Sequence, residues 1–497
     1  MNYADSARIR AVLTNCWFSY TENSKDADII IFDTCSIKQK SEDKITGKLK
    51  TIRPDQKVRI TGCMIQHNMR NWKLKAESWT FKTGNFIWTT MTKTPKIVWL
   101  TSEDVNKLSP DTSSLIAVNH AFNPIFHNLT QKRKNIELMR RIDDTGFLPL
   151  ILKKLGYTFS YDQEMINEYE KIIPENISTS MNSHQKTAYI PIATWCNQFC
   201  AYCIVPYARG LEKYFPVEQI INEAKIHLQN GAEEIVLLGQ IVNKHPEFIT
   251  IVKKILKLKG LKRLRYTSPY PTYYSKELLT LHEKEEKLCP HIHMPLQSGS
   301  NTMLKKMFRG YTVQQAKEFI DSIKKLTRKI SITTDIIVGF CDETEEDFQE
   351  TLDLIKYGWF DMVYIGIYSS RPGTLAAKNY SDNISRTVKR DRRNRLNELL
   401  KDISRKNNKE EIGTIKEVLI NKIRAWVIEW YTDNMKQIII EPKVQSSKIK
   451  AQKNKTTKEN LGAWSLELGA NGKVGEFIRV KITKTIAFKL YGKIIAM

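Results

Sequence analysis

Apolar residues recur along this chain in two rhythms, and their alternation sets out its architecture. Between residues 186 and 407, "AYIPIAT", "EEIVLLGQ", "LKRLRYTS", "HIHMPLQS", "ISITTDIIVGF" and "DMVYIGIYS" read as strands. Helical segments separate them, among them Pro216 to Asn230, with Pro at its start and Gly231 at its end. Thr344 and Asp347 stand in capping-box spacing ahead of the amphipathic run "TEEDFQETLDLIKYG". Apolar strands separated by helices predict an α/β fold with a parallel sheet, open or closed into a partial barrel. Chemistry in such folds collects at the C-terminal ends of the strands, where "LGQIVN", "TSPYP", "LQSGS" and "GFCDET" fall.

The flanks follow other patterns. Residues 1–110 form a separate α/β unit: "DSARIRAVLTN" reads as a helix, and "ADIIIFDTCS" and "QKVRITGCMIQ" each as a strand entering a loop. Cys35 and Cys63 therefore sit just past strand ends. Residues 111–185 are irregular, with a basic run "QKRKNIELMRR", and read as an insertion plus linker. The basic helix "VKRDRRNRLNELLKDISRKNNKEE" closes the central unit. Residues 408–497 change to short β runs, "TIKEVLI", "QIIIEPKV", "GEFIRVKIT" and "YGKIIAM", which predict a small β-barrel. "KVQSSKIKAQKNKTTKEN" would be a charged loop on it.

Composition narrows the class. With 497 residues, 41% of them hydrophobic, the chain is globular and long enough for several cores. Lys+Arg (78) exceed Asp+Glu (54) by 24, which favours a polyanionic partner such as nucleic acid over mere Lys-rich composition. The longest apolar runs are too short to cross a bilayer, and the opening residues lack a secretory signal, so a cytoplasmic protein without a membrane partner is expected. Eight cysteines in such a chain point to metal or redox chemistry rather than disulfides.

Three of them cluster in "ATWCNQFCAYCIVPYARG": Cys196, Cys200 and Cys203. The spacing C-x3-C-x2-C differs from common zinc patterns, although zinc with a distant fourth ligand stays open. Thiolates in a compact loop suit an iron–sulfur cluster, three of whose irons they would hold. With aromatic Tyr202 before the last cysteine, the loop resembles the signature of radical S-adenosylmethionine (SAM) enzymes. The resemblance implies a [4Fe–4S] cluster whose open iron chelates SAM, and Tyr202 near the SAM adenine.

More narrowly, "AYIPIATWCNQFCAYCIVPYARG", "IVLLGQIVN", "LRYTSPYP", "HMPLQSGSNTMLKKMFRGYT", "ITTDIIVGFCDETEEDF" and "YSSRPGT" resemble, in order, the motifs of the methylthiotransferases. The C-terminal barrel is similar to that family's RNA-binding TRAM domain. "MNYADSARI" and "VPYARG" point to the branch acting on N(6)-isopentenyladenosine beside the tRNA anticodon. The resemblance implies transfer of a methylthio group to carbon 2 of that base, two [4Fe–4S] clusters, and two SAM molecules. It implies the tRNA anticodon stem-loop as partner and an electron donor such as flavodoxin or ferredoxin; a monomer is expected. Gln240, Asn243, Ser268, Gln297 and Asp335 end barrel strands and are candidate SAM or substrate contacts. His291 and His293 share a strand face, with packing favoured over a pocket role. Other readings are methylthiolation of threonylcarbamoyl-adenosine or of a ribosomal-protein aspartate, and a non-catalytic iron–sulfur RNA-binding relative.

The chain also departs from that pattern. Cys35 and Cys63 match two ligands of the family's auxiliary cluster; the first ligand would precede Met1, and a start site upstream is expected. Cys16, Cys289 and Cys341 read as structural thiols. Trp17, Trp195, Trp359 and Trp430 stand where the family has glycine. Translation of UGA as tryptophan in a gene that reads it as glycine would produce this pattern.

Overall fold

The computed structural model describes residues 19–21, 27, 29–34, 57–62, 96–100, 136–138, 186–209, 212–420, 423–424, 427–440 and 476–496. Cys16, Trp17, Cys35, Cys63 and the charged loop of 441–475 lie outside the described residues.

An N-terminal parallel sheet comprises β1 (Ser19–Thr21), β2 (Ile29–Thr34), β3 (Lys57–Gly62), β4 (Lys96–Leu100) and β5 (Ile136–Leu138), in the order β1-β4-β2-β3-β5. The strands read from "ADIIIFDTCS" and "QKVRITGCMIQ" are β2 and β3. β5 pairs in parallel with β3, so the stretch read as insertion and linker contributes an edge strand to this sheet.

The core begins with β6 (Thr187–Pro191), then a short antiparallel pair, β7 (Ala193–Thr194) and β8 (Lys213–Tyr214). It continues through β9 (Glu234–Leu238), β10 (Arg263–Tyr266), β11 (His291–His293), β12 (Ser331–Val338) and β13 (Met362–Ile367). Two three-stranded parallel sheets, β6-β9-β10 and β11-β12-β13, are joined by a parallel bridge from Leu264 to Leu288. The result is a partial barrel of six parallel strands in sequence order, the architecture expected of apolar runs split by helices.

Helices α1 (Val205–Arg209), α2 (Val217–Gln229), α3 (Phe248–Leu256), α4 (Lys276–Lys284), α5 (Asn301–Lys306), α6 (Val313–Lys324), α7 (Glu345–Gly358), α8 (Leu375–Asn379) and α9 (Arg386–Lys409) link the strands or follow them. Ile332, Ile336 and Val338 of β12 pack outward with Ile320 of α6, Phe348 and Ile355 of α7, and Leu396 and Leu400 of α9. The alternate residues Thr333 and Asp335 therefore line the inside. The capping box at α7 forms as the spacing predicts: the Thr344 hydroxyl accepts from the Asp347 amide at 3.1 Å, and the Asp347 carboxylate accepts from the Thr344 amide at 3.0 Å.

Where α7 ends, Trp359 takes a left-handed backbone, φ 56° and ψ 45°, with its amide donating to Ile355 O. That conformation costs a side chain roughly 1–2 kcal/mol, whereas glycine adopts it freely. The ring is 43% exposed, so little burial offsets the strain. Trp359→Gly is expected to raise stability by about 0.5–1 kcal/mol once the extra freedom of glycine in the unfolded chain is subtracted. Urea unfolding checks this; a fall in stability of similar size counts against the strain. Trp430, by contrast, pairs with Ile438 in ordinary strand register.

The C-terminal unit is a closed barrel of β14 (Ile415–Leu419), β16 (Val427–Thr432), β17 (Gln437–Ile440), β18 (Phe477–Ile486) and β19 (Lys489–Ala496), with β15 (Ile423–Arg424) on its edge. Val418, Ile438, Ile440, Ile478, Val480, Ile482 and Leu490 fill it. This barrel is bolted to the N-terminal end of the core strands. Arg265, fixed by Glu234 at 3.2 Å, donates to Asp433 O (2.7 Å) and Thr432 O (2.9 Å) in the β16–β17 turn. Arg263 reaches Glu417 O, and Lys436 bridges Asp361 (3.0 Å) and Glu411 (3.2 Å).

Helix α9 is fastened to the core by charge as well. Arg392 and Glu343 form a buried pair at 2.8 Å, with the Glu343 carboxylate also accepting from the Gly339 amide at 2.7 Å. Lys389 pairs with Asp382 and lies so close to Gly339 (φ 69°) that a Cβ there would stand 2.3 Å from Lys389 Cγ.

Candidate functional site

The three-cysteine loop leaves β6 and is pinched at its base by the β7–β8 pair. Trp195, immediately before Cys196, has φ 68°, and Lys213 lies 4.7 Å over its ring. This is the second of the four tryptophans to occupy a conformation that suits glycine. Phe199 is also left-handed, with φ 47°, as the chain doubles back between the first two cysteines. The Cys203 amide closes a tight turn on Cys200 O at 2.9 Å, and α1 follows at once.

Neighbouring segments hold the loop from outside. The Ala201 amide donates to Met307 O (2.9 Å), and Ala201 O accepts from the Ala376 amide (2.7 Å). Glu212 N donates to Asn197 Oδ1 at 3.0 Å. Ala201, with Tyr202 beside it, packs into a cluster with Met303, Met307, Phe340, Cys341 and Tyr368. Backbone bonds to neighbouring segments thus help to hold the loop in shape.

The thiols suit an iron–sulfur cluster better than a single ion. Among the described residues no three His, Cys, Asp or Glu side chains converge on one point. A cube of four irons takes one thiolate per iron, so its ligands surround the cluster instead of meeting. Burial pushes the Cys196 thiol up to about 11, with Gln198 N–H opposing and the Cys200 charge adding to the rise. Cys203 is pushed up to about 12 by burial, with the Cys200 and Cys196 charges adding to it. The Cys196 and Cys203 thiols therefore hold their protons at neutral pH, and would have to release them to ligate a metal.

The candidates at the strand ends divide. Ser268, after β10, and Gln297, after β11, both have left-handed backbones, φ 52° and 77°. Such strained non-glycine positions concentrate at functional sites. Gln240 is half-buried in the turn after β9. Asn243 is buried with both ends of its amide engaged by Tyr270, Nδ2 to the carbonyl (3.0 Å) and Oδ1 from the amide (2.8 Å), so it ties two strand-end loops together. Asp335 lines the inside of the barrel, its carboxylate 3.3 Å from His293 Nε2. His293 Nδ1 and His291 Nε2 both meet the Thr333 hydroxyl at 2.9 Å, a polar chain that spacing alone leaves undecided. Burial pushes His291 well below the usual histidine value, keeping it neutral. Cys289 and Cys341 are both buried; Cys341 packs in the cluster that holds Ala201 and Tyr202, and Cys289 lies beside Arg265 and Glu234.

Sequence reasoning passed over Arg309. Its guanidinium donates to Cys200 Sγ at 3.3 Å and to Pro295 O at 2.7 Å. "FRGYT" offers a signal only in hindsight, because nothing local shows which loop the arginine reaches.

Residues 190–355 match the Radical SAM superfamily, and residues 1–82 match the uncharacterized protein family UPF0004. The chain is 32% identical to the tRNA-2-methylthio-N(6)-dimethylallyladenosine synthase of Thermoanaerobacter sp. (strain X514), with 100% of this chain and 90% of that protein covered. It is 31% identical to the synthase of the same name from Clostridium botulinum (strain Langeland), over 99% of this chain and 94% of that one. Among solved structures, coproporphyrinogen III oxidase from Escherichia coli is similar over 52% of this chain and 61% of its own, at 15% identity and a TM-score of 0.36.

Proposed function

Since the chain belongs to the tRNA-2-methylthio-N(6)-dimethylallyladenosine synthases, radical SAM methylthiotransferases, we propose that it places a methylthio group on carbon 2 of N(6)-isopentenyladenosine beside the tRNA anticodon. The observation that carries the reading is the loop with three cysteines, and three only, beside the strand ends of a parallel partial barrel. Cys196, Cys200 and Cys203 hold the radical SAM [4Fe–4S] cluster; Cys35 and Cys63 serve the auxiliary one. When bound, the cluster and SAM supply one-electron cleavage of SAM and hydrogen abstraction from an unactivated carbon.

The protein's own residues position and enclose. Tyr202, Gln240, Ser268, Gln297 and Asp335 border the space in which SAM and the base must meet, with Asn243 bracing its rim. The base is presented unstacked, since its carbon 2 is unreachable within a stacked anticodon loop.

The C-terminal barrel offers a face for RNA. Along β18, buried Ile478, Val480 and Ile482 alternate with exposed Arg479, Lys481 and Lys484. Lys481 stands directly opposite exposed Lys493 on β19, a like-charged pair that opposes folding until an anion lies over it. Phosphate contacts of this kind fix orientation without reading sequence. The anticodon stem-loop is the proposed occupant, and a flavodoxin or ferredoxin the proposed electron donor to a monomeric enzyme. Among the described residues no helix is long and apolar enough to cross a membrane.

The test is mass spectrometry of nucleosides from a strain that makes isopentenyladenosine but lacks its methylthiolation, carrying this gene. The expected result is the 2-methylthio derivative. Methylthiolation confined to threonylcarbamoyl-adenosine, or to a ribosomal-protein aspartate, overturns the substrate assignment. No methylthiolation by cluster-loaded protein overturns the enzymatic one.

A further inference from the structure

Arg309 makes an unusual set of contacts for a cation. Its side chain runs from the end of α5 into the cysteine loop, where Nη1 lies 3.3 Å from Cys200 Sγ. Nη2 is anchored on Pro295 O at 2.7 Å, in the segment leaving β11. The guanidinium sits 4.4 Å from the Tyr270 ring centroid and 5.3 Å from that of Tyr311. Both rings are held in turn: Tyr270 Oη accepts from the Gly310 amide at 3.0 Å, and the Tyr311 hydroxyl donates to Leu296 O. Nε is buried with no hydrogen-bond partner, and among the described residues its ionisable neighbours are Tyr202, Tyr270, Tyr311 and Cys200 rather than carboxylates. The chain has placed a permanent positive charge, oriented by two rings and a carbonyl, against one sulfur of the loop. A neutral thiol gives such a charge little return, whereas a cluster thiolate gives it an anion.

We propose that Arg309 is a positioning residue that sets the reduction potential of the radical SAM cluster through its hydrogen bond to the Cys200 sulfur. The inference rests on Cys200 being a ligand of that cluster. Reduction adds one negative charge to the cluster, and a cationic donor on a ligand sulfur stabilises the reduced form more than the oxidised one. Its removal therefore makes the cluster harder to reduce. The two tyrosines make the contact geometric as well as electrostatic, because they hold the guanidinium fork on the sulfur side of the loop.

The experiment is a reductive titration of cluster-loaded full-length protein with titanium(III) citrate, followed by electron paramagnetic resonance. The radical SAM cluster is distinguished by the change in its signal when SAM is added. Arg309→Gln, which removes the charge but retains a donor, is expected to lower the reduced-to-oxidised ratio at fixed potential by about tenfold, equivalent to about 59 mV for one electron. Arg309→Lys, which keeps the charge but loses the fork that reaches the sulfur, should fall between the two, about threefold below wild type. Equal potentials in wild type and Arg309→Gln, with the SAM-responsive signal intact in both, overturn the proposal. If Arg309→Gln fails to retain its cluster, the lysine variant decides: a shift of about threefold in the same direction supports the role, and an unchanged ratio overturns it. A wild-type protein with no SAM-responsive cluster overturns the ligand assignment itself, a distinct result.

Discussion

Cys200→Ala is expected to abolish SAM cleavage and tRNA methylthiolation while leaving the fold in place. The loop is organised by the Ala201 bonds to Met307 and Ala376 and by the β7–β8 pair, none of which needs a sulfur. Truncating Cys200, buried at the centre of the loop, would remove one of the three proposed cluster ligands and leave the Arg309 guanidinium facing a methyl group. Iron and sulfide should fall to the content of the auxiliary cluster alone. The SAM-dependent change in the electron paramagnetic signal should vanish. Affinity for tRNA should stay within about twofold, since phosphate contacts dominate binding. Cys289→Ala, which removes a buried thiol beside Arg265 and Glu234 rather than one packed on the loop, should retain both clusters. Persistent formation of 5′-deoxyadenosine by Cys200→Ala would sink the assignment of this loop.

The second large effect is on stability. Arg392→Met should cost about 3–5 kcal/mol, because it leaves Glu343 buried without its cation. The two side chains are 5% and 1% exposed and 2.8 Å apart, so solvent does little to screen them. Burial already raises the Glu343 pKa in the native protein, against the lowering effects of the Gly339 amide and Arg392. The sign of the pH dependence follows. A carboxyl whose folded pKa lies above its unfolded value binds protons more readily when folded, so its contribution to stability falls as pH rises through that interval. Losing Arg392 widens the interval upward. The variant's deficit should be largest at neutral pH and shrink as acid protonates Glu343; urea unfolding at two pH values measures it. A deficit independent of pH would mean that the lost contact of the guanidinium over the Phe348 ring, not the orphaned charge, dominates.

What could be read from the chain divides by the range of the contacts involved. The core strands, the Thr344 capping box and the cysteine loop are local patterns, and each survives in the fold where spacing put it. The glycine-like character of Trp359 was legible only through the family resemblance, which has glycine there; the left-handed helix end it occupies explains why. Arg309 was not, because its partners come from residues 200, 270, 295 and 311, and no periodicity links them. The ties of Arg263, Arg265 and Lys436 to the C-terminal barrel escaped for the same reason: a charged residue in a strand looks alike whether it meets water or a carbonyl. The edge strand β5 was hidden by three residues, too short a run to stand out from its polar surroundings.

If the C-terminal barrel binds RNA as proposed above, those arginine ties carry a consequence for how the RNA is chosen. An RNA-binding module on a tether searches, and any substrate it catches will in time meet the catalytic pocket. Here Arg265 is locked between Glu234 and the β16–β17 turn, so the proposed RNA-binding barrel would behave as the fixed arm of a caliper. The span from the cationic strands to the cysteine loop is set before any nucleic acid arrives. A stem too long or too short by a base pair can bind as tightly as the right one and still leave its adenosine out of reach. Discrimination on such a frame is paid in turnover rather than in affinity.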